Sequence, residues 1–206
     1  GKSVAAGQQA IFTALRGDTV LLFSIESATD SIHNRNVSCL GEVPYDYMCA
    51  PTPDDDPDDT YFSKISVALK TIKNAPLYID ESPGITIEQL CARVRRQHMK
   101  TRLRLVIVDH IHTMKIPNKD PVREYGEITR QLKALAKEIG CPVVGVAQLN
   151  RGNSARTEKR PVMSDLRASG EIEQEADVIF FIHREDYYDT PDKKTHLQLV
   201  VEFIIA

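Results

Sequence analysis

No stretch of this 206-residue chain is apolar over the ~20 positions that a membrane-spanning helix requires. The first residues, Gly-Lys-Ser-Val, also lack the basic segment and apolar core that mark a secretory signal. These two absences predict a soluble, intracellular protein.

The cysteines form no recognisable disulfide or zinc pattern. They are scattered, without a C-x-x-C pair or a histidine at zinc-finger spacing, at Cys39, Cys49, Cys91 and Cys141. The chain also has no large excess of positive or negative charge, since its net charge is only -3. Nucleic-acid binding would therefore need a local basic patch. With 42% hydrophobic residues the chain can build one sizeable core, and we expect residues 1–206 to form a single domain.

Helical and strand-like segments alternate along the chain. Composition and apolar spacing predict helices over 3–15, 30–40, 86–99 and 121–139, and another with the apolar residues Phe62, Ile65, Leu69 and Ile72 on one stripe. Short apolar runs predict strands at 20–25, 77–79, 103–108, 142–147, 178–182 and 197–205. The alternation predicts an α/β fold whose mainly parallel sheet is flanked by helices. The run at 142–147 is expected to be a central strand covered on both faces.

Gly1-Lys2-Ser3, followed directly by a helix, matches the end of the phosphate-binding loop G-x-x-x-x-G-K-[ST]. The first glycine and four spacer residues of that motif would precede residue 1. In such a loop the backbone N–H groups cradle phosphates, the lysine reaches the β and γ phosphates, and the serine hydroxyl binds Mg²⁺. The alternative is a tag remnant or a trimmed loop end.

Asp109 ends the apolar run Leu105-Val106-Ile107-Val108, which is the form of a Walker B segment. An acid at that point can hold the water shell of a nucleotide-bound Mg²⁺. The alternative is an aspartate that caps a strand end or the following helix. The presence of Gly-Lys-Ser and Gln148 in the same chain favours the metal role of Asp109.

Gln148 follows the strand predicted at 142–147, where ligands bind in open α/β sheets. A primary amide there can contact a bound group and report it to the attached loop. That loop, 151–170, is locally basic and suits contact with a phosphate backbone through Arg151, Arg156, Lys159, Arg160 and Arg167. An ordinary solvated surface loop is the alternative.

Two other patterns suggest metal sites. His110 and His112 form an H-x-H pair, the starting point for a rival interpretation as a metal-dependent hydrolase, although no second histidine cluster accompanies them. The acidic run at 54–59 lacks the glycine and terminal glutamate of a calcium loop. We expect that run to be a turn and a helix N-terminus, where acids complement the helix dipole.

Taken together, the chain resembles the motor domain of the DnaB-type replicative helicases, ring-forming ATPases with a RecA-like P-loop NTPase core. The resemblance covers nearly the whole chain and rests on segments 1–3, 23–26, 78–84, 108–109, 132–138 and 148–177. Two pieces of the family's site are missing, namely the front of the phosphate loop and the arginine finger expected after Ala206. We therefore expect a fragment of the motor, without the family's N-terminal domain and with little or no ATP hydrolysis of its own.

The resemblance implies roles for further residues. Ser24-Ile25-Glu26 looks like the family's Ser-Leu-Glu, which makes Glu26 the general base that activates water, and Arg35 stands where relatives carry an arginine near the phosphates. A solvated glutamate and a surface arginine are the alternatives. Arg167 and Gly170 match positions at single-stranded DNA, whereas Ala168 stands where relatives often have glutamate.

The function implied is an ATP- and Mg²⁺-dependent replicative DNA helicase that translocates on single-stranded DNA as a homo-hexameric ring. Primase and a helicase loader are the further partners implied, and the cytoplasm of a bacterium, infected by phage or not, is the implied location. Two alternatives stay open. One is a RecA-type recombinase, and the other is a non-catalytic module with an ATPase fold that docks a helicase loader.

Overall fold

A computed structural model describes residues 1–52, 56, 60–115, 121–150, 160–166, 169–184 and 201–205. The helices are α1 (Lys2–Leu15), α2 (Thr29–Gly41), α3 (Tyr45–Cys49), α4 (Thr60–Lys73), α5 (Ile87–Thr101), α6 (Pro121–Ile139) and α7 (Ser169–Glu175). The strands are β1 (Val20–Ser24), β2 (Leu77–Asp80), β3 (Leu105–Asp109), β4 (Val143–Gly145), β5 (Phe180–His183) and β6 (Glu202–Ile205). Two short 3-10 helices span Ile111–Thr113 and Met163–Asp165.

Four of the strands form one parallel sheet in the order β2-β1-β3-β4. Val20 of β1 lies opposite Leu77 on one side and Leu105 on the other, and Val106 lies opposite Val143. The inner strands β1 and β3 are buried at every residue. Strands β5 and β6 pair antiparallel in a separate two-stranded sheet.

The core lies on both faces of the parallel sheet, because alternate residues of a strand point to opposite sides. Leu21 and Phe23 pack in a cluster with residues of α5 and α6, whereas Val20 and Leu22 pack in another with Ala10 of α1. Helices therefore cover both faces, and the predicted α/β class is confirmed.

Helix α6 has the predicted bounds, and its buried residues recur at helical spacing at Tyr125, Ile128, Leu132 and Leu135. The helix is followed by Gly140, whose φ of +61° is a left-handed conformation that glycine adopts without steric cost. Within the described ranges, no helix is both long and apolar enough to cross a membrane.

The apolar stripe predicted for α4 is only half buried. Ile72 is buried and Ile65 packs against the same cluster, together with Ala68 and with Ile11 of α1, whereas Phe62 is 67% exposed and Leu69 50% exposed. The helix turns its small residue inwards because it lies close to α2. An added Cβ at Gly41 would come 3.3 Å from the carbonyl oxygen of Lys64.

Strand β4 is shorter and less covered than the sequence predicts. It has no partner on its outer side among the described strands and is therefore an edge of the sheet, with Val144 43% exposed. Its apolar residues suggested a central strand, but the chain that follows it pairs in the separate sheet of β5 and β6. The expectation of a strand covered on both faces is thus wrong for the described residues.

The acidic run after α3 behaves as a helix start at the one acid that is described. Asp56 accepts hydrogen bonds from the backbone N–H groups of Thr60 (2.9 Å) and Tyr61 (2.7 Å) in the first turn of α4. This is the N-terminal position where a carboxylate satisfies free N–H groups and the helix dipole. Asp54, Asp55, Asp58 and Asp59 lie outside the described residues.

Candidate functional site

A cavity of about 480 Å³ opens where β1, β3 and β4 end and α1 begins. This is the edge at which parallel α/β sheets bind ligands. Its lining is predominantly polar and comes from segments far apart in the sequence: Gly1, Lys2, Ser3, Val4, Glu26, Ser27, Arg35, His110 and Gln148. The structure therefore brings the predicted ATP-binding and catalytic residues together in one place.

Helix α1 presents its N-terminus to this cavity. Gly1 is the N-cap and offers no side-chain cap, and the first turn contains Lys2 and Ser3. The first N–H groups of a helix have no partner within the helix, and the helix dipole adds partial positive charge there. Together with the ammonium group of Lys2, this end of α1 can bind an anionic group such as a phosphate.

Asp109 lies beneath the cavity at the end of β3. Only 4% of the residue is exposed, and the Ser3 side chain interacts with its carboxylate. Burial raises the pKa of Asp109 above its ordinary value, against the opposing effects of Ser3, His110 and Lys2. The buried Oδ1 atom has no hydrogen-bond partner among the described residues. An unsatisfied carboxylate oxygen next to a hydroxyl fits the oxygen ligands that Mg²⁺ and its waters prefer.

Three polar side chains meet at the mouth of the cavity. The His110 Nε2 atom lies 3.0 Å from Glu26 Oε2 and 3.0 Å from Gln148 Nε2. The His110 side chain is 5% exposed, whereas that of Glu26 is 54% exposed. Glu26 follows β1 and Gln148 follows β4, so the histidine at the end of β3 bridges them across the sheet edge. The peptide bond between Asp109 and His110 is cis.

His112 contacts the backbone of Gln148. Its Nδ1 atom accepts a hydrogen bond from the Gln148 backbone N–H at 3.2 Å, and its ring meets Tyr125 edge-on at 4.6 Å. The ring centroids of His110 and His112 are 6.0 Å apart. The described residues contain no group of three metal-ligating side chains, so they give the metal-dependent hydrolase interpretation no support.

Arg35 reaches the cavity from α2. It lines the wall, and its guanidinium carbon lies 5.9 Å from the ring centroid of Tyr45, within cation–π range. The aromatic ring limits the positions available to a long side chain. Arg35 is thus placed to add positive charge to the cavity from a helix rather than from the sheet.

The residues predicted to bind DNA are only partly described. Arg160 is half exposed and pairs with Glu202 at 3.0 Å, and Gly170 lies on α7 with open space around its Cα. Neither lines the cavity. Arg151, Arg156, Lys159 and Arg167 lie outside the described residues.

Directly beyond Gln148, the chain pairs with residues of the predicted DNA-binding loop that lie after positions 151–159. Leu149 and Leu166 form an antiparallel bridge, and the Asn150 N–H donates to the Asp165 carbonyl at 2.7 Å. Asp165 Oδ2 in turn accepts from the Val162 N–H at 2.9 Å. These described residues are therefore held together one residue from the cavity.

A wider groove of about 650 Å³ lies beside the end of β2. Its charged groups already have partners, since Arg93 Nη1 donates to Asp80 Oδ2 at 2.6 Å and to Ser82 Oγ at 2.6 Å. Glu81 Oε2 likewise accepts from the Thr29 N–H at 2.8 Å. The residues that line this groove include no start of a helix. We therefore place the candidate functional site in the cavity of about 480 Å³, although the groove is larger.

Sequence reasoning missed the position of His110. The histidine was considered only as half of a metal-binding pair, although it contacts both the candidate base and the candidate sensor. A single sequence offers one weak signal for this role, namely a polar ring directly after the strand-ending Asp109. Ser27 and Val4, which also line the cavity, gave no signal of their own.

Comparison with known proteins places the whole chain in one family. The family model described as the DnaB-like helicase C terminal domain matches residues 1–206. The replicative DNA helicase DnaB of Pasteurella multocida is 40% identical over 194 residues, covering 92% of this chain and 41% of the relative. That of Mycobacterium leprae is 38% identical over 177 residues, covering 84% of this chain and 28% of the relative.

Solved structures give the same result for the fold. A DnaB-like replicative helicase, described with its interactions with primase, matches all of this chain with a TM-score of 0.90 at 30% identity, over 49% of its own length. A second solved structure, described as an ATPase domain, matches with a TM-score of 0.89, also at 30% identity, over 72% of its length. The predicted resemblance and the RecA-like core are thereby confirmed. The chain spans well under half the length of the two curated relatives.

Proposed function

We propose, since this chain belongs to the DnaB-like helicase C-terminal domain family, that it is the ATP-hydrolysing motor of a replicative DNA helicase. The observation that carries the proposal is the convergence of Lys2, Ser3, Glu26 and Gln148 on one cavity above the buried Asp109. A phosphate-binding helix end, a metal-binding acid, an exposed carboxylate and an amide are the parts that phosphoryl transfer requires.

Lys2 and the N–H groups at the start of α1 bind the β and γ phosphates of ATP in this proposal. Ser3 and Asp109 would hold Mg²⁺, directly and through its waters, and the metal would supply positive charge to the phosphate oxygens. Arg35 adds charge from α2. These residues position and stabilise, which is most of what an enzyme contributes to transfer of a γ-phosphoryl group.

Glu26 is proposed as the general base. Its carboxylate accepts the proton of the water that attacks the γ-phosphorus, while the bond from phosphorus to the bridging oxygen of ADP breaks. The exposed side chain reaches the cavity from the end of β1, where water can approach. Gln148 is proposed to sense the γ-phosphate through its amide.

The proposed movement on DNA follows from the attachment of Gln148 to the basic loop. The bridge between Leu149 and Leu166 connects the residue after Gln148 to a residue within that loop. The basic residues predicted there would bind the phosphate backbone of single-stranded DNA, so a shift of Gln148 changes the grip on DNA. We further propose a homo-hexameric ring, with primase and a helicase loader as partners. The solved relative described with its interactions with primase supports the primase partnership.

The test is ATP hydrolysis by the full-length protein, with and without single-stranded DNA, beside Glu26→Gln and the control Glu88→Gln. Glu88 is an exposed acid on α5 that does not line the cavity. We expect DNA to stimulate the wild-type protein, Glu26→Gln to lose about 100-fold or more of kcat while still binding nucleotide, and Glu88→Gln to match the wild type.

Each outcome discriminates between assignments. Hydrolysis that Glu26→Gln leaves untouched would keep the motor but remove Glu26 as its base. A folded, assembled protein that binds no nucleotide would favour the non-catalytic docking module. Filaments rather than rings in negative-stain images would favour the recombinase alternative.

A further inference from the structure

We propose that His110 is a positioning residue that sets the Glu26 carboxylate according to the position of the Gln148 amide. The inference rests on the proposed function, because it concerns how the base and the sensor of that site are coupled. It starts from one geometric fact: a single ring nitrogen, His110 Nε2, lies 3.0 Å from Glu26 Oε2 and 3.0 Å from Gln148 Nε2.

One imidazole nitrogen cannot satisfy both neighbours at once. If Nε2 carries a hydrogen it donates to the Glu26 carboxylate, and if it carries a lone pair it accepts from the Gln148 amide. Turning the amide over does not remove the competition, since one N–H would then be shared between two acceptor oxygens. The two contacts therefore weaken each other, and the hydrogen bond from His110 to Glu26 is strongest when Gln148 moves away.

His110 is the fixed member of the three. Its side chain is 5% exposed, and its carbonyl accepts from Thr113 Oγ1 at 2.7 Å and from the Thr113 N–H at 3.1 Å. The next residue is also tied to the chain after β4, because the Ile111 N–H donates to the Val146 carbonyl at 3.0 Å. The half-exposed Glu26 and the half-buried Gln148 have room to move, so a change of partner moves them and leaves the ring in place.

The direction of the coupling follows from the position of the Gln148 amide, which faces either His110 or a bound γ-phosphate. In the absence of a γ-phosphate, the single Nε2–H is shared between the Glu26 carboxylate and the Gln148 amide oxygen, so Glu26 is held loosely. When Gln148 turns to a γ-phosphate, the same Nε2–H donates to Glu26 alone and fixes the carboxylate in the cavity, and no proton changes its site. The base is thus placed for reaction only when the group to be transferred is present.

The test uses the full-length protein and separates kcat from KM for ATP in four variants. His110→Leu keeps apolar bulk and removes both hydrogen bonds. His110→Gln restores a donor and an acceptor on separate atoms, so one side chain can serve both partners. Gln148→Ala removes the sensor, alone and combined with His110→Leu. His98→Leu on α5, outside the cavity, is the matched control.

We expect His110→Leu to lower kcat by about 10- to 100-fold, the effect of a misplaced reacting group, with KM changed less than about threefold. His110→Gln should recover most of that loss, and His98→Leu should match the wild type. Because part of the sensor's effect passes through His110, Gln148→Ala should cost a smaller factor in the His110→Leu background than in the wild type.

Three results would overturn the inference. Equal factors for Gln148→Ala in both backgrounds would show that His110 does not connect the two residues. A His110→Leu variant that changes KM alone, or that His110→Gln does not rescue, would make the histidine a structural residue. Absence of hydrolysis by the wild-type protein would overturn the proposed function and the coupling with it, whereas wild-type hydrolysis with the wrong variant pattern overturns only the coupling.

Discussion

Replacing Asp109 with asparagine should have opposite effects on the free protein and on its nucleotide complex. Asp109 is buried, its Oδ1 atom has no hydrogen-bond partner in the described structure, and burial raises its pKa from 3.8. An asparagine of the same shape places a neutral group in that position. Burying a neutral amide costs less than burying a poorly paired carboxylate, so we expect Asp109→Asn to stabilise the nucleotide-free protein at neutral pH.

The sign of the pH dependence follows from the raised pKa. The folded protein favours the protonated form of Asp109, and this contribution to stability is fully present below the unfolded pKa. It is lost as pH rises through the higher folded pKa, above 3.8. Because asparagine does not titrate there, the stability advantage of the variant should grow from acidic to neutral pH.

The nucleotide complex should respond in the other direction. Ligand at 100 times its Kd stabilises a protein by about 2.7 kcal/mol. Loss of a group that holds a metal through its waters weakens binding about 10- to 100-fold, which leaves about 1.4 to 0.4 kcal/mol of that stabilisation. The lost 1.3 to 2.3 kcal/mol corresponds to roughly 3–9 °C in Tm for a domain of this size.

The assay is thermal unfolding of the full-length protein with and without Mg²⁺ and a non-hydrolysable ATP analogue. Asp18→Asn is the control, since Asp18 is a half-exposed acid with a 3.6 Å contact to Arg104 and should change neither transition by more than about 0.5 kcal/mol. An Asp109→Asn protein that is less stable than the wild type without nucleotide would refute the burial argument. One that keeps the full stabilisation by Mg²⁺ and nucleotide would refute the metal assignment.

Two further predictions concern the scaffold. Partial burial works to raise the pKa of Asp80, but hydrogen bonds from Arg93 and Ser82 outweigh it and hold the pKa below 3.8. Since the Arg93 side chain is 40% exposed, Arg93→Gln should lower the free energy of unfolding by only about 1 kcal/mol. In urea titrations that difference should shrink as pH falls through the lowered pKa, and a constant difference would contradict it. Leu90→Ala, at a fully buried position, should cost about 2–5 kcal/mol, whereas Leu69→Ala on the exposed side of α4 should cost under about 1 kcal/mol; equal losses would restore the predicted α4 stripe.

The location of the site could be predicted because parallel strands bring their carboxyl ends to one edge. Glu26, Asp109 and Gln148 each follow an apolar run, and the runs are β1, β3 and β4 of one sheet. Lys2 and Ser3 reach the same edge because α1 begins there and leads directly into β1. The spacing of apolar residues, and the positions at which the apolar runs end, therefore indicate which residues gather around the cavity.

What could not be predicted depends on packing between segments distant in sequence. The stripe on α4 is only half buried, because apolar spacing does not say which of its residues a neighbouring helix covers; near the close approach at Gly41, Ala68 is buried whereas Phe62 and Leu69 are exposed. The contact of His110 with Glu26 and Gln148 depends on side-chain directions at the ends of three strands. No spacing rule along one chain encodes such a contact.

The edge position of β4 bears directly on how the motor would work. The fixed groups, Asp109 and His110, lie at the end of the inner strand β3, which is buried throughout and paired on both sides. Gln148 instead follows a three-residue strand at the edge of the described sheet, where fewer contacts hold the backbone. A sensor on a loosely held strand beside a rigid reference can shift by a small distance without disturbing the core. Because Leu149 bridges Leu166, the proposed shift would also act on the described residues next to Leu166. Weak coverage of β4 therefore suits the proposed mechanical connection between this cavity and DNA.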